Sequence, residues 1–171
     1  MNSQKNKIIA VVIFSVVALT PTRTVYANSR SLDIVTDADA VPPEVRIACD
    51  FWGEQYNICP ELLEAIAYHE SRFDPSAVNK TCVGIMQINT AAHQKRLERL
   101  DVKDIYDMSE NIKVAADYLA ELFEENEDVA VVLGLYHGEK GAKRRAENGN
   151  LSAYVRKILE KSAEFERAHG K

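Results

Sequence analysis

From residue 43 onward the apolar positions of this chain recur mostly every three or four residues, the spacing of helices that each bury one face. Pro42 and Pro43 open a first helix with Val45, Ala48 and Trp52 on one side, and Tyr56-Asn57 breaks it. Pro60 starts a second helix, with Glu61 near its positive end and Ser71 and Asp74-Pro75 closing it. Residues 72–83 read as an irregular loop and 84–89 as a short extended or turn segment. Asn89 or Thr90 can cap a helix reaching Leu100, and Asp107 with Glu110 forms a capping box. The helix after it turns Ile112, Ala115, Ala116, Leu119 and Phe123 inward and Glu121, Glu124 and Glu125 outward. Asp128 caps a helix that is apolar on every side, from Val129 to Leu135, which belongs in the middle of the domain. Gly138 and Gly141 break the chain beyond it, Lys143-Arg144-Arg145 form a short basic stretch, and Ser152 begins a last helix with Val155, Ile158, Leu159 and Phe165 inward. The pattern predicts one mostly α domain over residues 44–171, with a short extended segment and no internal repeat.

The N-terminus has a different character. Lys5 and Lys7 precede the mostly apolar run Ile8–Leu19, and Val25-Tyr26-Ala27 suits a cleavage site, so residues 1–27 read as a signal peptide. The run is shorter than the about 20 residues that span a bilayer; contact with membrane is expected only through this segment if it is retained. Residues 28–43, small and polar with Asp33, Asp37 and Asp39, read as a flexible leader. An extracytoplasmic location follows. The formal net charge of −5 becomes −8 once the bases of residues 1–27 are removed, which argues against nucleic acid as a partner. Of the three cysteines, Cys49 and Cys82 are the preferred pair if a disulfide forms, and three small buried thiols are the other reading.

Glu70 is the residue that carries chemistry. Leu63, Ile66, Ala67 and Glu70 share one helical face, and burial of a carboxyl among aliphatic neighbours favours its protonated form. That makes Glu70 a candidate general acid; the alternative is a helix-end glutamate turned to solvent or paired with a base. Asp74, before a proline in a turn, and Asp107, at a helix start, have local backbone roles. No two histidines have an H-x-x-x-H spacing, and neither a metal site nor a cofactor is expected.

Glu70-Ser71, Gly84-Ile85-Met86-Gln87-Ile88, Asn111-Ile112 leading to Tyr118-Leu119, Leu135-Tyr136 with Gly138, and Tyr154-Val155 follow in that order. Over residues 44 to 160 the chain thereby resembles the catalytic domain of the soluble lytic murein transglycosylases, relatives of goose-type lysozyme. The resemblance implies a lysozyme-like α+β fold and cleavage of the MurNAc–GlcNAc β-1,4 bond of peptidoglycan glycan strands, closing a 1,6-anhydro ring. It makes Glu70 the catalytic acid and then base, and puts Ser71, Gly84, Met86, Gln87, Asn89, Tyr136 and His137 around the sugar. Tyr136 is expected to hold the Glu70 carboxyl. His137 departs from the family's usual Asn, and Asn89-Thr90 from its common Met-Pro. Two other readings stay open: a muramidase that uses water, and a weakly active glycan-binding component of an envelope secretion or conjugation apparatus.

Overall fold

The first helix, α1 (Pro43–Tyr56), carries a proline in its opening turn, where a missing amide hydrogen costs nothing, and it ends on Asn57 in the left-handed conformation at φ 54°. In this computed structural model residues 40–171 are described; the expected signal peptide and nearly all of the leader lie outside them. Val45, Ala48 and Cys49 face inward from α1. The second helix, α2 (Pro60–Ser71), lies against α1 on one side and the last helix on the other. Every residue from Glu61 to Ala67 is buried. Two acids, Glu61 and Glu64, are therefore enclosed along with the aliphatic residues.

Three strands follow: β1 (Val78–Asn79), β2 (Cys82–Val83) and β3 (Ile88–Asn89). They form an antiparallel meander in which Asn79 faces Cys82 and Cys82 faces Asn89. This corrects the expected loop over 72–83. With two residues per strand there is no alternation for a sequence pattern to display.

Helix α3 (Gln94–Arg99) begins later than expected and has no side-chain cap. Asn89 instead ends β3, and its Oδ1 accepts from the Ala92 amide at 3.1 Å. Helix α4 (Met108–Glu125) starts where expected, with Asp107 accepting from the Glu110 amide at 2.9 Å. The return arm of the capping box is not made. Glu110 Oε2 accepts instead from the amides of Lys103 and Asp104, and so ties down the preceding loop. On α4, Ile112, Ala115, Ala116 and Leu119 are fully buried, with Leu122 below them.

Asp128 caps the short apolar helix α5 (Val129–Tyr136) through the Ala130 amide. After Gly141 comes α6 (Ala142–Glu147), an element hidden in the basic stretch. Ser152 then caps α7 (Ala153–Ala168) through the Val155 amide. One core unites these helices, built on Leu63, Ile66, Ile85, Met86, Ile112, Leu119, Leu133 and Ile158, all essentially inaccessible. Each such side chain contributes roughly 1.5–3 kcal/mol by leaving water. The architecture is a mostly helical, lysozyme-like α+β domain.

Two polar clusters join buried to exposed side chains at the margin of this frame. Arg96 is buried with Asp117 at 2.9 Å, and Arg99 and Glu121 complete the network. At the start of α2, Glu61 receives Lys171 at 2.7 Å and lies 3.0 Å from His169 Nδ1. All three cysteines are free. The Cys49–Cys82 pairing is thus corrected: Cys49 is buried on α1, whereas Cys82 pairs with Asn89 across the small sheet.

Candidate active site

The last turn of α2 carries Glu70 out of the core to the wall of a cleft of about 370 Å³. Desolvation raises the Glu70 pKa; a hydrogen bond from Tyr154 and the proximity of His137 oppose that rise. The Tyr154 hydroxyl donates to Glu70 Oε1 at 2.7 Å. Among the described residues Oε2 has no such partner and is the oxygen left for a substrate. The net effect keeps the carboxyl above its ordinary range, so the protonated form persists to higher pH than in an exposed glutamate. Glu70 is the only carboxylate among the residues that line this cleft.

The predicted set divides in two. Gln87, Asn89, Tyr136 and His137 line the cleft with Glu70. Ser71, Gly84 and Met86 do not: their hydrogen bonds hold the turn and the side chains that do. The Ser71 hydroxyl reaches the Ile85 carbonyl at 2.8 Å and ties the end of α2 to the following turn. Met86 is completely buried, so its side chain packs in the core rather than against a sugar. Gly84 is close-packed for a different reason than expected. At φ +78° a Cβ would lie 2.2 Å from Asn111 Nδ2, so the group that approaches its backbone is the Asn111 amide and not a glycan.

Asn111 is the clamp beneath the site. Fully buried, it donates to the carbonyls of Val83 and Ile105 at 3.2 and 2.8 Å and accepts from the Met86 amide at 2.8 Å. Gln87 takes a left-handed conformation at φ 49°. Its Nε2 donates to the carbonyls of Ala77 and Gly84, both at 3.1 Å, which commits the amide nitrogen to the turn and leaves Oε1 as the acceptor. Tyr136 donates to the Met86 carbonyl at 3.0 Å, not to Glu70. The expected tyrosine contact exists, but Tyr154 makes it.

The cleft also has members that sequence reasoning passed over. Tyr118 stands 5.7 Å from Tyr136 and 4.5 Å from His93, centroid to centroid, so the three rings form an aromatic cluster in the lining of the cleft. Asn79 from β1 and Cys82 from the central β2 add the small sheet. Tyr118 and Tyr154 stood within the quoted motifs without an assigned role. Their signal was their place in the series; nothing in helical spacing marks a tyrosine at the first turn of α7 as a partner of α2.

Asp74 and Asp107 behave as local residues. Asp74 is exposed and accepts from the amide and the hydroxyl of Ser76 at 2.8 and 2.7 Å, which hold its carboxyl below the usual range. Asp107 caps α4.

A helical domain with one half-buried carboxyl at the wall of an aromatic-lined cleft is a lysozyme-like scaffold. Residues 48–158 match the Transglycosylase SLT domain, and the chain belongs to that family. It is also similar to Protein IpgF of Shigella flexneri, 49% identical over 59 residues, a match that spans 30% of this chain and 38% of that protein.

Proposed function

We propose that this domain is a lytic transglycosylase that cleaves the MurNAc–GlcNAc β-1,4 bond of peptidoglycan with formation of 1,6-anhydro-MurNAc. The observation that carries the reading is the single acid of the cleft: Glu70, raised by burial and aimed by Tyr154, with no second carboxylate lining the same space. Hydrolysis by the usual routes needs two such groups, one for the leaving oxygen and one for water or for the sugar. With one, the same carboxyl donates its proton to the departing glycosidic oxygen, and as the carboxylate then removes a proton from the muramyl 6-hydroxyl. That hydroxyl is already attached to the sugar, so it competes with water at a high effective concentration. Serving twice requires a pKa near the working pH, which is the direction in which burial moves Glu70.

Tyr154 stabilises the carboxylate between the two steps, and Gln87 Oε1, Asn89 and Asn79 are amide groups of the cleft that can meet an acetamido group. Because peptidoglycan lies outside the cytoplasmic membrane, this reading puts the protein in the cell envelope, with glycan strands as its partner. The test is the chemistry of the new muramyl ends released from purified peptidoglycan. Anhydro ends are lighter by one water than reducing ends, and digestion in ¹⁸O-water leaves them unlabelled. Label at the new ends would make the protein a hydrolytic muramidase, and no release of ends would remove the proposal altogether.

A further inference from the structure

His137 is where this chain carries an imidazole beside the acid. It forms the cap of α5, directly after Tyr136, and Gly138 at φ +76° turns the chain away behind it. Its ring lies flat on the ring of Tyr154, with centroids 3.8 Å apart and planes inclined by 13°. The far end of the same phenol donates to Glu70 Oε1. Imidazole, phenol and carboxyl thus form one series, contributed by the end of α5, the start of α7 and the end of α2. Among the described aromatic pairs this is the only one that Tyr154 makes.

Tyr154 sits in the first turn of its helix, where its ring can turn about two torsions. A hydrogen bond at 2.7 Å tolerates little of that freedom, since it weakens steeply as the angle opens. A flat neighbour on one face fixes the plane of the phenol and so the direction of its hydroxyl. We propose that His137 is a positioning residue that acts through Tyr154, holding the phenol on Glu70 and not gripping the sugar. The inference rests on the reading of Glu70 as the acid of a lytic transglycosylase.

Aromatic pairing of this kind favours the held orientation by about 2- to 10-fold. His137→Ala should therefore lower kcat on peptidoglycan by about 2- to 10-fold with KM little changed. His137→Phe keeps a flat ring and should retain kcat within about twofold. The decisive comparison is a double-mutant cycle: once Tyr154→Phe has removed the hydroxyl, His137→Ala should cost nothing more. A direct sugar contact behaves differently. It raises KM, and its loss is as costly without the hydroxyl as with it.

A second measurement needs no turnover. Carbon-13 NMR of the Glu70 carboxyl follows its titration in the whole chain. The groups that face it are Tyr154 from α7, Tyr136 from α5 and His137, with Glu139 facing Tyr154 from the loop behind. Losing the tyrosine hydrogen bond moves the Glu70 midpoint upward, because that bond favours the carboxylate. His137→Ala should move it up toward the Tyr154→Phe value. His137→Phe, which keeps a flat ring against Tyr154, should move it less. Equal kinetic loss for His137→Ala in both backgrounds, a phenylalanine as defective as alanine, or an unmoved midpoint in His137→Ala overturns the proposal. A chain that cleaves no peptidoglycan defeats the transglycosylase reading, and the titration still decides whether His137 holds Tyr154 in place.

Discussion

Replacing Glu64 by glutamine should flatten the dependence of stability on pH without touching the cleft. Glu64 is fully buried on α2, neither carboxyl oxygen has a hydrogen-bond partner among the described residues, and His169 Nδ1 is 3.8 Å from Oε2. Burial, with the charge of Glu61 beside it, pushes its pKa from 4.5 up to about 7. Because the folded value is the higher one, the stability this group contributes is complete below about pH 4.5 and is lost as pH rises through about 7. At 1.36 kcal/mol per unit, the full loss is about 3 kcal/mol, most of it falling between about pH 5 and 8. Glu61 has the opposite sense. Burial would raise it too, but hydrogen bonds from Lys171, His169 and Cys59 hold it down to about 2, so its contribution is present above 4.5 and is lost only as pH falls through about 2. The two together put the stability maximum near pH 4.5, where Glu61 is fully ionised in the fold and Glu64 still holds its proton. Urea unfolding of the wild type and Glu64→Gln from pH 5 to 8 reads the difference. The wild type should lose roughly 2–3 kcal/mol more than the variant over that range. Glu70, also raised, is present in both proteins and cancels from the comparison. Parallel curves would mean that Glu64 is ionised in the fold and that the argument from its burial is wrong.

Glu70→Gln should keep the fold and lower the release of muramyl ends by about 10²-fold or more, since the amide has no proton to give; near wild-type release would exclude Glu70 as the acid. Gly84→Ala should destabilise by about 2 kcal/mol or more, because the alanine must adopt φ +78° and its Cβ must displace the Asn111 amide. Thermal unfolding measures that loss, and an unchanged Tm would show that the turn over residues 84–87 relaxes freely.

What was legible in the sequence was what neighbours in the chain decide. Asp107, Asp128 and Ser152 each cap the helix that follows by accepting from an amide two or three residues on, so those starts were readable from local chemistry. The three strands and α6 were not, because two-residue strands and a six-residue helix rich in Lys and Arg are shorter than any period they could show. Site residues followed the same rule. Glu70 announced itself through its own helix face, but which tyrosine reaches it depends on how α7 lies against α2. Met86 looked like a sugar contact and is core, since a flexible apolar side chain beside a turn is compatible with either until the packing is known.

Glu64 and Glu70 separate two things that a raised carboxyl pKa can mean. Both stand on α2, both are raised, and desolvation is the leading cause in each. Glu64 is sealed among α1, α2 and the tail of α7, with no cleft at its oxygens, so its proton has nowhere to go but solvent after local opening. Glu70 opens on a cavity of about 370 Å³, and one of its oxygens is already oriented by Tyr154. Burial alone therefore does not select the acid, and a search by perturbation would rank the wrong glutamate beside the right one. Access for a substrate and a fixed direction for the proton are the two properties that Glu70 has and Glu64 lacks. Both arise from the last turn of α2, where Ser71 ties the helix end to the Ile85 carbonyl and holds the Glu70 turn at the edge of the cleft.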